Sequence, residues 1–583
     1  MKLSESKVFS ITIIVIVLVQ LLLAFQGLDV CDDGFVLSGY QQIFNAPESV
    51  EYNFVYWLST ILGGFWYLLF PNGGVLWFKI LAIIVNTGTF VLAYKLLKDY
   101  MKPQHALIGL AMVLFVNDYG FLVFYHNQLT AFFSVWIAFL LHRGILRQNL
   151  TLLFLSGLLV GVNVFTRLPN LSLSVLILAI PLMVFLKKER LVEAFKPSLF
   201  FVLGIVIGIG VILLIMILLG QFEIFSDAIN TLFNLGKTRG SGHSIIDLVY
   251  VFIYNYKKVL LFSSAFLLMS IIFLLISEYL KNRRKIIYVL AIVIFAVFFL
   301  FFRSGGIYAV YAISFFGLIL LQFNAVKKEA KLLAFIAFLV MVCLPLGSGG
   351  GIHSSGYMCI WLAVPLAIGY LFKLKTIGLS FGFENFDISK QFSKETLHKV
   401  ISVMILAFFC VKAYHVSKEA YFDPGSRLEK TYLVNNNYTK LVYTTKERAD
   451  IINELLINLD DYVMPNDYLL TFDNIPLVHF LTNTKPYMYN PWVMVYDENS
   501  FVEKLTKAEA QREQLPIVVQ QKFNTVASFS DPIPNYLNSE EPTGRHYNKV
   551  RSKAMMDFLE RNDYEIVWSN PYFNILKASK PKP

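Results

Sequence analysis

The chain has 583 residues, 56% of them hydrophobic and only 15% charged, where soluble domains carry about 25% charge. With a mean hydropathy of +0.59 and 53 Phe beside 31 Tyr, it exceeds what one water-soluble core can hold, so the composition predicts a polytopic α-helical membrane protein. Disorder, nucleic-acid binding and a disulfide scaffold are excluded. The net charge of +10 falls mostly in short loops between apolar runs, where it reports topology, and the four cysteines have neither disulfide nor metal-ligand spacing.

The first apolar run, Val8 to Phe25, follows Lys2 and Lys7 and lacks a small-x-small cleavage site, so it reads as an uncleaved span with a cytoplasmic amino terminus. Further apolar runs lie near 75–97, 104–119, 121–141, 152–169, 171–187, 197–220, 259–280, 286–303, 308–325, 332–346, 357–373 and 401–417, for about thirteen spans. Residues 54–70 are apolar but short and broken by Gly63-Gly64. Placing them at the membrane surface puts every basic cluster inside: Lys95–Lys102, His142–Arg147, Lys187–Arg190, Lys281–Lys285, Lys327–Lys331 and Lys373–Lys375. The first outer loop, Gly27 to Asn53, then holds five acids and no Lys or Arg.

These spans make a membrane domain over 1–417. It includes the first outer loop with its juxtamembrane helices (27–74), an outer loop at 221–258 and a Gly-rich outer loop at 346–356. An odd number of spans leaves 418–583 outside. That tail is polar and punctuated by Pro and Asn. Tyr468–Asp473 and Pro516–Gln520 read as buried strands, Lys553–Asn562 as a helix, and Tyr564–Ser569 with Tyr572–Ala578 as a closing hairpin. The expectation is a small extracytoplasmic α/β domain. No internal repeat is visible.

The first outer loop reads Asp29-Val-Cys-Asp32-Asp33-Gly34-Phe35. Adjacent carboxylates beside a membrane span are either solvated or used; in use, one acts as a base with a raised pKa, or both hold a cation. Glu51 follows, ahead of Tyr56-Trp57. Tyr125, His126 and Asn127 form a polar cavity wall or a hydrogen-bonded patch between helices. Arg167 faces a wet cavity or snorkels to the interface. Lys237, Arg239 and Lys257 in loop 221–258, and Arg303 in Arg303-Ser-Gly-Gly306, are candidates for binding an anionic head group; phospholipid contact is the alternative. The stretch Gly347-Ser-Gly-Gly-Gly351-Ile-His353-Ser-Ser-Gly356 lets backbone N–H groups approach an anion or serves as a plain connector, and it lacks a Walker ending. In the tail, Asp473, His479 and Arg545 come with no nucleophile motif and read as structural.

The order of first span, acid pair, Glu51 through Tyr56-Trp57, about thirteen spans and an outer terminal domain resembles the GT-C class of membrane glycosyltransferases. The nearest likeness is to the bacterial aminoarabinose-transferase and protein O-mannosyltransferase branch. Residue-level likeness is confined to about residues 29–57 and short pieces such as Tyr125–Thr130, which resembles a Tyr-Asn-x-Leu-Ser/Thr stretch. Glu51-Tyr52-Asn53-Phe54 lacks the Lys-Pro of the family's Glu-Lys-Pro-Pro segment. The resemblance implies sugar transfer from a polyprenyl-phosphate or polyprenyl-diphosphate donor to a lipid, glycan or protein acceptor at the outer face. Asp32 would be the base, and Asp33 and Glu51 would support the site. It also allows a divalent cation (Mg, Mn or Zn) held by Glu51 with His243 or His353. The partners it implies are the lipid-linked donor and membrane lipids, with no nucleic acid. Short loops and economical size favour a bacterial inner membrane. The rival readings are a lipid-linked glycan flippase and an O-antigen polymerase or ligase, the latter sustained by loop 221–258.

Overall fold

The computed structural model describes residues 4–117, 120–235, 244–280, 283–325, 327–383, 386–522, 529 and 549–579. Apolar runs fold as helices because only a helix satisfies its own backbone polar groups in hydrocarbon. Among the described residues, eight helices are long and apolar enough to cross a membrane: Glu5–Ala24, Pro71–Leu97, His126–Leu146, Leu168–Lys187, Leu191–Leu218, Ile246–Tyr279, Lys285–Asn324 and Lys394–Lys418. A ninth forms if Gly351–Met358 and Ala363–Leu371, bent by 76°, are one broken span.

The thirteen expected runs therefore do not map one to one onto full-length helices. Runs 104–119 and 152–169 are the short helices Pro103–Phe115 and Leu150–Asn163. Pro169, early in the next helical segment, marks where the chain restarts after Arg167. Runs 286–303 and 308–325 are arms of one helix, Arg284–Asn324, kinked at Gly305 (φ −139°, ψ 15°). Its 41 residues extend about 60 Å, twice the hydrocarbon thickness. Residues 57–69 form a helix of 13 residues, too short to span. A hairpin, Thr376–Phe383 with Phe386–Ser393, stands between the last two spanning segments, where the sequence showed no strand signal.

Small residues set the tightest packing. Gly157 and Gly161 face Gly204 and Gly208, and a Cβ on Gly157 would lie 1.9 Å from the Phe201 carbonyl oxygen. This is backbone-to-backbone contact of the small-xxx-small kind.

The carboxy-terminal region is α/β. Its five-stranded sheet runs Lys485–Pro486, Tyr468–Phe472, Ile517–Gln521, Phe573–Ala578, Tyr564–Ser569. The first three strands are parallel, with Leu469 opposite Ile517, and the last two add antiparallel, with Val518 opposite Leu576. Helices Lys446–Leu459, Glu498–Gln511 and Lys549–Arg561 belong to the same region.

This domain is bonded to the first loop through backbone. Gly27 N donates to Tyr443 O (2.8 Å), Tyr443 N to Phe25 O (2.7 Å) and Leu477 N to Val30 O (3.1 Å). Gly34 lies so close that a Cβ would sit 2.1 Å from Leu477 N. A buried charge cluster locks the joint. Asp423 pairs with Lys430 (2.9 Å) and accepts from Leu28 N (2.9 Å) and the Thr444 hydroxyl (2.8 Å). Arg448 Nε donates to Leu28 O (3.0 Å).

Asp473, at the end of strand Tyr468–Phe472, is buried with its Oδ1 unpartnered among the described residues. Burial pushes its carboxyl up to about 7, against the pull of Arg551. The native state then holds the proton more tightly than the unfolded chain, so stability falls as pH rises from about 4 to about 7, and the cost is fully present above that. Asp473→Asn is expected to flatten the pH dependence of thermal unfolding and to raise Tm near pH 8. An unchanged slope in a tryptophan-fluorescence melt would refute this.

Candidate active site

The first loop is shaped by its own first acid. Asp29 Oδ1 accepts from Cys31 N (2.7 Å) and Oδ2 from Asp33 N (3.0 Å), a local turn that starts helix Asp32–Gln42. Asp32 and Asp33 thus stand in a first helical turn, where negative charge is favoured. Their surroundings differ. Asp32 is partly exposed, and its Oδ2 accepts a 2.7 Å hydrogen bond from the Tyr421 hydroxyl. Burial lifts its carboxyl to about 6, with the Tyr421 bond pulling the other way. Asp33 is buried and lifted to about 7 by burial, opposed by the Lys79 ammonium. Lys79 in turn donates to Gly27 O (2.7 Å).

Asp32 opens onto a cavity of about 700 Å³, where it is the one carboxylate residue among the described lining. Tyr52, Tyr56, Tyr125, Tyr357 and Tyr421 surround it with phenol rings. Tyr56 stacks on His126 at 4.0 Å with the rings 4° from parallel. Asn127 lines the same wall, with its Oδ1 unpartnered among the described residues. Arg167 enters at the break between two helices and is 5% exposed. Its Nη1 lies 3.6 Å from Met358 Sδ, and no salt bridge holds it among the described residues. Gly347–Gly350, His353 and Ser354 close another side. The loop folds over Pro169, with Gly347 at φ +84° and a Cβ there only 2.7 Å from Pro169 Cβ, so this turn needs glycine.

Other residues singled out from the sequence lie elsewhere. Glu51 is buried against the terminal domain, paired with Lys504 (2.5 Å) and bonded by the Thr231 hydroxyl (3.4 Å), and it does not line the cavity. Loop 221–258 is mostly helix, Phe222–Leu235 and Ile245–Tyr279. Lys257 is exposed on the latter helix, away from the cavity lining, and neighbouring Lys258 lies over the rings of Tyr254 and Tyr308. Arg303 is exposed mid-way along the kinked helix rather than at a helix end, and it too is absent from the lining. Lys237, Arg239, His243 and Arg545 lie outside the described residues. Among the described residues no three of His, Cys, Asp and Glu form a group fit for a metal ion, and Glu51 is already engaged by Lys504. Of the residues the resemblance allowed for a divalent cation, His353 lines the cavity, Glu51 does not, and His243 lies outside the described residues.

Tyr421, which reaches Asp32 from 389 positions away, carried no signal in the sequence. Neither did Lys504, the partner of Glu51.

No family model matches the chain, and no curated protein does. Among solved structures, ArnT from Cupriavidus metallidurans bound to undecaprenyl phosphate superposes with a TM-score of 0.50, covering 98% of each chain at 11% identity. At 11% identity the likeness shows a shared fold, the one the GT-C resemblance led us to expect. An Archaeoglobus fulgidus oligosaccharyltransferase complexed with Zn and sulfate matches at TM-score 0.44 and 11% identity, over 87% of this chain and 68% of that one.

Proposed function

We propose that the protein is a glycosyltransferase that moves a sugar from a polyprenyl-phosphate or polyprenyl-diphosphate carrier to an acceptor hydroxyl. The observation that carries this reading is the presence, in one cavity lining, of the carboxylate of Asp32 and the guanidinium of Arg167, which has no ion pair among the described residues. The shared fold with a protein bound to undecaprenyl phosphate supports the choice of carrier.

In this reading Asp32 takes the proton of the acceptor hydroxyl as its oxygen attacks the anomeric carbon. The bond from that carbon to the carrier's phosphate oxygen breaks, and the polyprenyl phosphate or diphosphate leaves with the electron pair. Arg167 receives the growing negative charge in a partly dry site, where a guanidinium acts most strongly. Tyr421 holds one oxygen of Asp32 and leaves the other for the acceptor. Asp33 and Glu51 act as supports: Asp33 beside Lys79, and Glu51 by fixing the terminal domain through Lys504. His126 and Asn127 offer polar contacts to the sugar. An apolar groove of about 330 Å³, lined by Leu62, Phe65, Leu69, Leu81, Leu129 and Phe124, the chain neighbour of cavity residue Tyr125, suits the isoprenoid.

The basic cluster at His142–Arg147 sits at the far end of the helix that begins at the cavity with His126, and Lys95–Lys102 sits at the end of helix Gly74–Leu97. By the positive-inside rule the cavity and terminal domain then face outward across a bacterial inner membrane.

The test is transfer by purified protein from a radiolabelled pool of polyprenyl-linked sugars. Wild type should consume donor, and Arg167→Ala should lower kcat/KM for the donor by about tenfold or more, the effect of losing one charged hydrogen bond to the leaving phosphate. Donor that stays bound and unconsumed under all conditions would replace this reading with a carrier.

A further inference from the structure

The far end of the bundle holds a second cavity that the transfer reaction does not use. Helix His126–Leu146 begins at the active-site cavity, and its 21 residues carry it about 30 Å away by helical rise. There Gly144 and Ile145 form one wall of a cavity of about 690 Å³. Its floor is apolar, made by Leu150, Leu153, Ile180, Met183 and Val184. Its rim carries four bases, Lys187, Lys188, Arg190 and Lys196, against two acids, Glu189 and Glu193. Arg190 is held by Glu193 (3.3 Å), while Lys187, Lys188 and Lys196 have no ion pair among the described residues. Helix Ala179–Lys187 ends with Lys188 in the left-handed region (φ 63°, ψ 30°), and this turn folds Lys188–Arg190 along the mouth.

The apolar side chains around this rim decide what covers it. Phe185, Leu191, Val192 and Phe195 are 69%, 64%, 78% and 71% exposed, interleaved with the bases. Greasy residues this bare, alternating with lysines, fit the level where acyl chains meet head groups. A free phosphate would satisfy the lysines and leave floor and rim uncovered. A zwitterionic lipid would bring its own ammonium among them.

We propose that this cavity binds one anionic phospholipid, with its phosphate among Lys187, Lys188 and Lys196 and its acyl chains over Leu150, Leu153, Ile180 and Met183. The site stands apart from the catalytic reading and does not depend on it.

The experiment is native mass spectrometry of the full chain released from nanodiscs of equimolar phosphatidylglycerol and phosphatidylcholine. Wild type should retain one phosphatidylglycerol in about tenfold preference or more, as expected for several bases on one head group. K187Q/K188Q/K196Q should lose the preference, and K187R/K188R/K196R should keep it. K95Q/K98Q/K102Q removes exposed charge at the end of another helix and should keep it too. Should the Gln triple not fold, K196Q alone gives the same comparison with a smaller loss. No preference in wild type would overturn the proposal. So would an equal loss in K95Q/K98Q/K102Q, which would reduce the effect to general charge attraction. Displacement of the lipid by millimolar inorganic phosphate would identify a free-anion site instead.

Discussion

Asp32→Asn should slow sugar transfer by about 10²- to 10⁴-fold, the range for losing a general base, while donor affinity stays near that of wild type. The substitution keeps the shape of the side chain and can keep the Tyr421 contact, so the loss isolates the proton acceptor from the architecture. The wild-type pH profile supplies a second reading. Burial holds Asp32 near 6, and only its ionised form accepts a proton, so the rate should fall as pH drops through that value and level off above it. Tyr421 donates to the ionised form, so Tyr421→Phe should raise the pKa further and move the acid limb to higher pH. A merely structural tyrosine would lower activity without moving that limb. Single-turnover rates at saturating donor, taken across pH, separate these outcomes. Transfer that survives Asp32→Asn would remove Asp32 from the chemistry.

The largest stability effect is expected at Asp423. Asp423→Ala leaves Lys430 buried without its counter-charge and strips acceptors from Leu28 N and Thr444. Breaking one side of a buried pair costs about 3–5 kcal/mol, which for a domain of this size is about 10 °C in Tm. Asp423→Leu combined with Lys430→Met should recover part of the loss, the share due to the stranded ammonium, while Leu28 N and Thr444 still lack their acceptor and Arg448, 3.8 Å from Asp423, still loses that charge. Leu28 and Asp29 border this cluster, so the single variant should also loosen the turn that carries Asp32. Faster hydrogen exchange at residues 26–33 would report it. Single and double variants equally destabilised would mean that packing, not charge, holds the joint.

The residues picked from the sequence divide instructively. Asp32, Tyr125, His126, Asn127, Arg167 and His353 all line one cavity. Polar groups inside apolar runs are costly, so their presence is informative from sequence alone. Lys257 was expected in a loop and Arg303 at the end of a helix, whereas Lys257 sits on helix Ile245–Tyr279 and the helix of Arg303 continues past it through the kink at Gly305. A Gly-Gly step such as Gly305-Gly306 reads as a turn, yet helical hydrogen bonding continues on either side of a kink. The resemblance assigned the base to Asp32 and a supporting part to Asp33, a division that residue type alone does not make. Successive helical residues point in different directions, so one faces the cavity and the other Lys79.

By itself the sequence determined the solvent this chain folds in, the helical character of most of its first 417 residues though not the hairpin Thr376–Ser393, and four of the five strands of its terminal sheet. Each follows from local hydropathy and its period. Tertiary structure alone decided that Glu51 is bound to Lys504 and that Tyr421 reaches Asp32. Those contacts join residues hundreds of positions apart, and no local pattern encodes them. They exist because the terminal domain docks on the first loop through backbone bonds and the buried Asp423–Lys430 pair.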